Sequence, residues 1–320
     1  MKKILVNDGI HPRGKELLEQ AGFEVDTNTI PQDELMSKLN GYDAILVRSA
    51  TQVRADLIDA CPNLKLIGRG GVGLDNIDVA YAKEKGIQVI NTPAASSNSV
   101  AELVFAHLLA SIRFLNKTNR EMADTSFGRF KELKKETSKG QELFGKTLGI
   151  VGFGRIGRET ARIAIGAGMN VVAHDPFITD KSMPVELKIN ANFNTANVMV
   201  DVPLVEKEML LQRSDFISLH IPGGGETAIG QKEFGLMKDG AVLINCARGG
   251  VVDELAMHNA LKSGKITAAG VDVFETEPPV NMDFFTRDDV SLSPHIGAAT
   301  SEAQQRIGEE LAHKIIDFFQ

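Results

Sequence analysis

A chain of 320 residues, 43% hydrophobic and 24% charged, is long enough for two domains with full cores and is ordinary for a globular protein. Its formal net charge of −7 offers no basic face of the kind nucleic acid requires, and Cys61 and Cys246 lack metal-ligand spacing and read as reduced core thiols, so no metal is expected. The start, MKKILVNDG, reads as a first strand with no leader, and no apolar run nears the ~20 residues that span a bilayer, so the expectation is a cytoplasmic protein without membrane or nucleic-acid partners.

From the N-terminus, short β-like runs at Ile4–Val6, around Val25, and at Ala44–Val47, Leu64–Ile67 and Val89–Ile90 alternate with helical stretches. Those stretches are Gly14–Gln20, Gln32–Leu39, Ala55–Ala60 and Val79–Lys85. Pro31 stands near a helix start and Gly22, Gly41 and Gly86 at helix ends. Such alternation predicts a parallel sheet covered on both faces. Ser96–Asp124 keeps a helical period through Ala101, Val104, Phe105, Leu108, Leu109, Ile112 and Leu115, which predicts one long helix bridging two domains. Phe127–Phe144 reads as a charged, irregular surface arm. Phe127, Phe130 and Phe144 are many aromatics for a loop, and they make it a candidate dimer arm beside the plainer reading of a solvated loop.

Lys146–Pro176 carries the strongest local pattern. An apolar run, Thr147–Val151, is too short for an ordinary helix and reads as a buried strand. Gly152, Gly154 and Gly157 follow as G-x-G-x-x-G, then a helical stretch to Gly166–Gly168, a second short run at Val171–Ala173, and Asp175. In that order the glycines permit a tight turn, backbone approach to a pyrophosphate, and packing of helix on strand. The helix start offers unpaired N–H groups to phosphates. Asp175 stands near the offset at which an acid meets the adenosine ribose, and a carboxylate there favours NAD over NADP.

Beyond it, Phe177–Asp201 shows little periodicity and reads as a surface excursion. Val202–Arg213 reads as a helix, Phe216–His220 as a strand, Gln231–Lys238 as a helix, Ala241–Cys246 as a strand, Asp253–Lys262 as a helix and Ile266–Val273 as a strand. Val290–Leu292 is one more candidate strand, and Ser301–Phe319 a final amphipathic helix. Three segments follow predicted strands: Asn245–Gly250, Asp272–Pro279 and Ser293–Gly297. In parallel α/β sheets the ligand crevice lies outside the carboxyl ends of the strands. Arg248, Glu277 and His295 are therefore candidates to converge on a nicotinamide. Hydride transfer to a ketone needs a proton donor, the reverse needs a base, and histidine serves both near neutral pH. A carboxylate on its other ring nitrogen would orient the ring, and an arginine can hold a substrate carboxylate bidentately.

Over essentially its full length the chain resembles the D-isomer-specific 2-hydroxyacid dehydrogenase family. The residues that carry the likeness are Gly68–Asn76, Asn91–Pro93, the glycine fingerprint, Asn245–Gly250 with Val252 and Asp253, Asp272–Pro279, and Ser293–Gly297. The resemblance implies Arg248, Glu277 and His295 as the catalytic residues. It implies cofactor contacts from Gly152, Gly154, Arg155, Ile156, Gly157 and Asp175, from Ile221 by backbone alone, and from Cys246, Ala247, Arg248, Asp272, His295 and Gly297. It also implies two Rossmann- or flavodoxin-like doubly wound α/β domains with a cleft between them. The substrate-binding domain would be 1–97 plus 291–320, and the NAD-binding domain 98–290.

Within the family, Tyr42–Ser49 and Ile67–Gly71 resemble the branch that oxidises a phosphorylated glycerate in the first step of serine synthesis. That resemblance implies substrate contacts from Arg48, Gly71, Val72 and Arg248, with Lys134 or Lys135 of the arm reaching a neighbour's site in a homodimer built on the 96–144 helix and arm. The chain ends at Gln320 without the C-terminal regulatory domain of longer relatives, so feedback by serine through such a domain is not expected. Reduction of glyoxylate or hydroxypyruvate needs the same machinery without a phosphate pocket. An NAD-gated, corepressor-like binding protein is the non-enzymatic alternative.

Overall fold

The computed structural model describes residues 1–124, 128–191, 194–280 and 286–320. Phe127 of the predicted arm lies outside them. The chain divides into two α/β units, Met1–Ser99 with Ala298–Gln320, and Val100–Gly297. Among the described residues no single helix is long and apolar enough to cross a membrane.

The first unit is a five-stranded parallel sheet in the order β2-β1-β3-β4-β5: β1 Lys3–Val6, β2 Glu24–Asp26, β3 Ala44–Val47, β4 Leu66–Arg69 and β5 Gln88–Asn91. The inner strands β1, β3 and β4 are largely apolar and buried because both faces are covered, whereas β2 and β5 at the edges carry polar residues. Leu5, Ile45 and Ile67 belong to one buried cluster. Ile4, Val6, Ala44, Leu46 and Leu66 belong to the other, which is closed by Ile307, Leu311 and Ile315 of the C-terminal helix Ser301–Phe319. That helix starts where the Thr300 hydroxyl accepts the Ala303 N–H at 3.2 Å.

The second unit is a six-stranded parallel sheet in the order β13-β12-β11-β10-β6-β7. Its strands are β6 Thr147–Val151, β7 Asn170–His174, β10 Phe216–Leu219, β11 Ala241–Asn245, β12 Ile266–Val271 and β13 Val290–Leu292. Because β13 pairs with β12 from Ala269↔Val290 to Val271↔Leu292, residues up to Gly297 stay with this unit.

Four features depart from the sequence reading. The predicted long helix is two, α5 Ser97–Ile112 and α6 Leu115–Asp124, bent by 65°. The break falls at Phe114, whose φ of 56° is left-handed and leaves the helix. The arm is not irregular, for Phe130–Glu136 forms helix α7 and buries Leu133. The predicted excursion is an antiparallel hairpin of two ten-residue strands, β8 Ser182–Ala191 and β9 Asn194–Pro203. Accordingly Val202 lies within a strand and starts no helix; α9 is Lys207–Arg213. The hairpin holds because Met183, Val185, Leu187 and Ile189 stand opposite Val202, Val200, Val198 and Ala196 on one apolar face, with Val185 and Val202 buried in the unit's core.

Candidate active site

Strand β6 lies between β7 and β10, so the sheet order reverses at its carboxyl end, the point at which doubly wound sheets bind ligands. Gly152 makes the turn there with φ of 91°, and a Cβ on it would lie 2.5 Å from His220 O. Helix α8, Arg155–Gly166, starts at Gly154, which has no side chain to bond the first-turn N–H groups and faces open space. A Cβ on Gly157 would lie 2.3 Å from Gly152 O, so the helix packs directly on the turn. Asp175 follows β7. Its Oδ2 accepts the Phe153 N–H at 2.8 Å and its Oδ1 the Phe177 N–H at 3.0 Å. A carboxylate offers about four lone-pair positions, which leaves two for a ribose diol. A side-chain-free turn, a helix start carrying Arg155 and Ile156, and an acid fixed to that turn fit a dinucleotide. Ile221 packs beside the turn, with Cγ2 2.9 Å from where a Gly152 Cβ would stand. His220 follows β10, with Nε2 2.9 Å from Ser218 Oγ and Nδ1 without a hydrogen-bond partner among the described residues, and burial pushes its pKa down to about 3.

Three loops leave the carboxyl ends of adjacent strands. The β11 loop carries the buried Cys246 and Ala247, then Arg248, whose Nη1 donates to Ala247 O at 2.7 Å while its own carbonyl accepts Asn245 Nδ2 at 3.0 Å. The β12 loop carries Asp272 and Glu277, and the β13 loop carries His295. The first two meet backbone to backbone at Gly249 and Phe274. His295 Nδ1 lies 2.9 and 3.1 Å from the two Glu277 carboxylate oxygens, and Glu277 Oε1 accepts the Phe274 N–H at 3.3 Å. Pairing at Nδ1 leaves Nε2 as the ring nitrogen that could meet a ligand. The backbone of His295 is left-handed, with φ of 54°, an uncommon conformation for a residue other than glycine and one found at functional sites. A cavity of about 420 Å³, walled mainly by Phe274, Pro278, Leu292 and Pro294, opens beside this pair.

Asp272 is almost fully buried and its carboxylate is committed to the His295 loop. Oδ1 accepts from Ser293 Oγ at 2.5 Å and Ile296 N at 2.8 Å, and Oδ2 accepts from Gly297 N at 2.9 Å. The Asp272 carbonyl also accepts the His295 N–H at 2.8 Å. The sequence reading of Asp272 as a nicotinamide contact leaves it about one lone-pair position for that purpose.

In the first unit, Arg48 follows β3 and Arg69 ends β4, with Val47 and Arg69 in register. The Arg48 loop is clamped. Asp8 accepts the N–H groups of Arg48 and Thr51 at 2.6 and 3.1 Å and the Thr51 hydroxyl at 2.5 Å, while Asn76 Nδ2 donates to Arg48 O and Thr51 O at 2.8 and 2.6 Å. The Gly71–Val72 turn is held by Asn91 Nδ2 on Val72 O at 2.7 Å and Thr92 N on Gly71 O at 3.1 Å. The sequence reading overlooks Asp8 and Arg69. The second could have been found, since it lies inside the quoted Gly68–Asn76 stretch. Lys134 and Lys135 stand exposed on α7, near its C-terminal end.

Residues 105–297 match the family model for the NAD-binding domain of D-isomer specific 2-hydroxyacid dehydrogenases. The chain belongs to that family. It is 42% identical over 319 residues to a hydroxypyruvate reductase of Thermotoga maritima, covering 98% of this chain and 97% of that protein. It is 44% identical over 321 residues to a D-3-phosphoglycerate dehydrogenase of Methanocaldococcus jannaschii, covering 98% of this chain but only 57% of that longer protein. Among solved structures, the NAD⁺-bound 3-phosphoglycerate dehydrogenase of Entamoeba histolytica superimposes with a TM-score of 0.78 at 27% identity, covering 99% of this chain and 95% of that one. The protein is an NAD-dependent oxidoreductase, and the glycine turn and Asp175 could hold the dinucleotide.

Proposed function

We propose that the protein interconverts 3-phospho-D-glycerate and 3-phosphohydroxypyruvate. The observation that carries the chemical part is the pairing of His295 Nδ1 with the Glu277 carboxylate at 2.9 Å. In the oxidative direction His295 Nε2 takes the proton of the C2 hydroxyl, and in the reductive direction it returns a proton to the ketone oxygen. Glu277 fixes the ring so that Nε2 is the nitrogen presented. Arg248 holds the substrate carboxylate through two parallel N–H donors and polarises the neighbouring carbonyl. The bound nicotinamide supplies the hydride acceptor or donor.

The phosphorylated substrate is favoured by Arg48 and Arg69, two cations at the ends of neighbouring strands β3 and β4. Lys135 of a second copy is a further candidate for the phosphate. A second reading, reduction of hydroxypyruvate or glyoxylate, is favoured by the likeness to a reductase of nearly the same length. Initial rates with NADH and phosphohydroxypyruvate, hydroxypyruvate and glyoxylate separate the two. The proposal expects phosphohydroxypyruvate to give the highest kcat/KM and Arg48→Ala to lower it for that substrate alone. Preference for glyoxylate or hydroxypyruvate, unchanged by Arg48→Ala, would establish the second reading.

A further inference from the structure

Behind the His295 loop lies a buried polar chain that the proposed chemistry does not use. His107, on α5, is buried, with Nε2 2.8 Å from Ser293 Oγ and Nδ1 2.8 Å from Ser291 Oγ. Ser293 Oγ in turn donates to Asp272 Oδ1 at 2.5 Å. The directions of these bonds follow from the inventory of donors. An ionised carboxylate only accepts, so the Ser293 hydroxyl proton points to Asp272. With that proton used, the contact from Ser293 to His107 needs a proton on Nε2. A neutral ring then has Nδ1 as an acceptor, which the Ser291 hydroxyl fills. Every proton in the chain therefore has one place. Burial pushes His107 below the usual histidine range against the pull of Asp272, which keeps the ring in this neutral form. The packing is equally specific: a Cβ on Gly270 of β12 would lie 2.6 Å from His107 Cβ, so the strand passes directly over the imidazole.

We propose that His107 is a positioning residue for the reaction. Through Ser293 it sets the rotamer of Asp272, and Asp272 in turn holds the backbone N–H groups of Ile296 and Gly297 and so the loop that presents His295. The catalytic part of this inference rests on the reading of His295 as the acid–base residue, whereas the loop-fixing part stands on geometry alone. A buried polar chain with every member satisfied rigidifies what it touches, and a half-satisfied one is costly.

The test compares His107→Leu, which removes both hydrogen bonds, with His107→Gln, whose amide N–H₂ reaches the Nε2 position. Amide hydrogen exchange is followed in the full chain without cofactor, and steady-state rates with NADH are followed in parallel. In His107→Leu, exchange at Ile296 and Gly297 should rise at least about tenfold while amides of the first unit stay protected. The same variant should lose about tenfold in kcat with KM for NADH within about twofold. His107→Gln should stay near wild type in both. Unchanged protection of Ile296 and Gly297 in His107→Leu overturns the inference, and so does a loss of protection spread evenly over the whole second unit. If His107→Leu does not fold, Ser293→Ala breaks the same link without emptying the core, and unchanged protection there is equally decisive. A wild-type protein that turns over no 2-keto acid, with the exchange results as expected, would overturn the acid–base reading and leave the loop-fixing inference supported.

Discussion

The α-carbon of Gly249 packs against the carbonyl of Phe274 so closely that a Cβ at 249 would lie 1.8 Å from Phe274 O. This contact joins the loop that carries Arg248 to the loop that carries Glu277, and so sets the distance between two side chains proposed to act on one substrate. Gly249→Ala must push the loops apart. The expected result is a loss of about 1–3 kcal/mol of stability, as for overpacking elsewhere, and about 10²-fold in kcat/KM, since misplacement by roughly an ångström costs that much. Thermal unfolding and initial rates on the same preparation check both.

His295→Asn should lower kcat by about 10²–10⁴-fold, the usual contribution of a positioned acid–base group. Glu277→Gln should lower it less, because a Gln oxygen still accepts the Nδ1 proton while its alternative rotamer does not. NADH binding, followed by fluorescence titration, should be unaffected in both variants. A Glu277→Gln enzyme as slow as His295→Asn would show that the carboxylate does more than orient the ring.

Asp8 accepts three hydrogen bonds from the 48–51 loop and touches nothing proposed for the cofactor. Asp8→Ala should therefore raise KM for phosphohydroxypyruvate about tenfold, with KM for NADH unchanged, while costing about 1–3 kcal/mol for the donors left unpaired. Equal rises in both KM values would assign Asp8 a general structural role.

His220 gives a pH dependence with a definite sign. Its folded pKa of about 3 lies below the usual histidine value of ~6.5, so below that value the unfolded chain binds a proton that the folded chain does not. Stability is therefore full above pH ~6.5 and falls as the pH drops from there toward 3. The melting temperature of the cofactor-free protein should drop more between pH 7 and 5 than that of His220→Asn, which has no proton to gain. Parallel curves for the two proteins would contradict this.

What could be read from the residues in order was local. The βα turn at Gly152–Gly157 is a matter of neighbouring backbone conformations, and Asp175 sits at an offset fixed by one helix and one strand, so both are legible in a single stretch of chain. The strand-end loops with Arg248, Glu277 and His295 follow from alternating strands and helices and from where a parallel sheet opens. The hairpin at Ser182–Pro203 is different. Met183, Val185, Leu187 and Ile189 alternate with polar residues, the period of a strand with one covered face, yet antiparallel pairing lies outside the βα plan that the rest of the unit follows. The break at Phe114 has no residue-type signal at all, since phenylalanine rarely takes a positive φ. The chain from Asp272 to Ser291 is illegible for another reason: His107 and Ser291 are 184 positions apart and meet only because α5 packs on the sheet between them.

The proposal that His295, on a strained loop beside Glu277, moves the proton that accompanies hydride transfer is tested most directly with deuterated NADH. The protein is incubated with [4,4-²H₂]NADH and phosphohydroxypyruvate, the label at C2 and the configuration of the product are determined, and His295→Asn is run beside it. The account predicts a D-configured product with deuterium at C2 from the native protein, and a His295→Asn variant that still binds NADH but yields essentially none. A product of L configuration, or a His295→Asn variant turning over at the native rate, would contradict it.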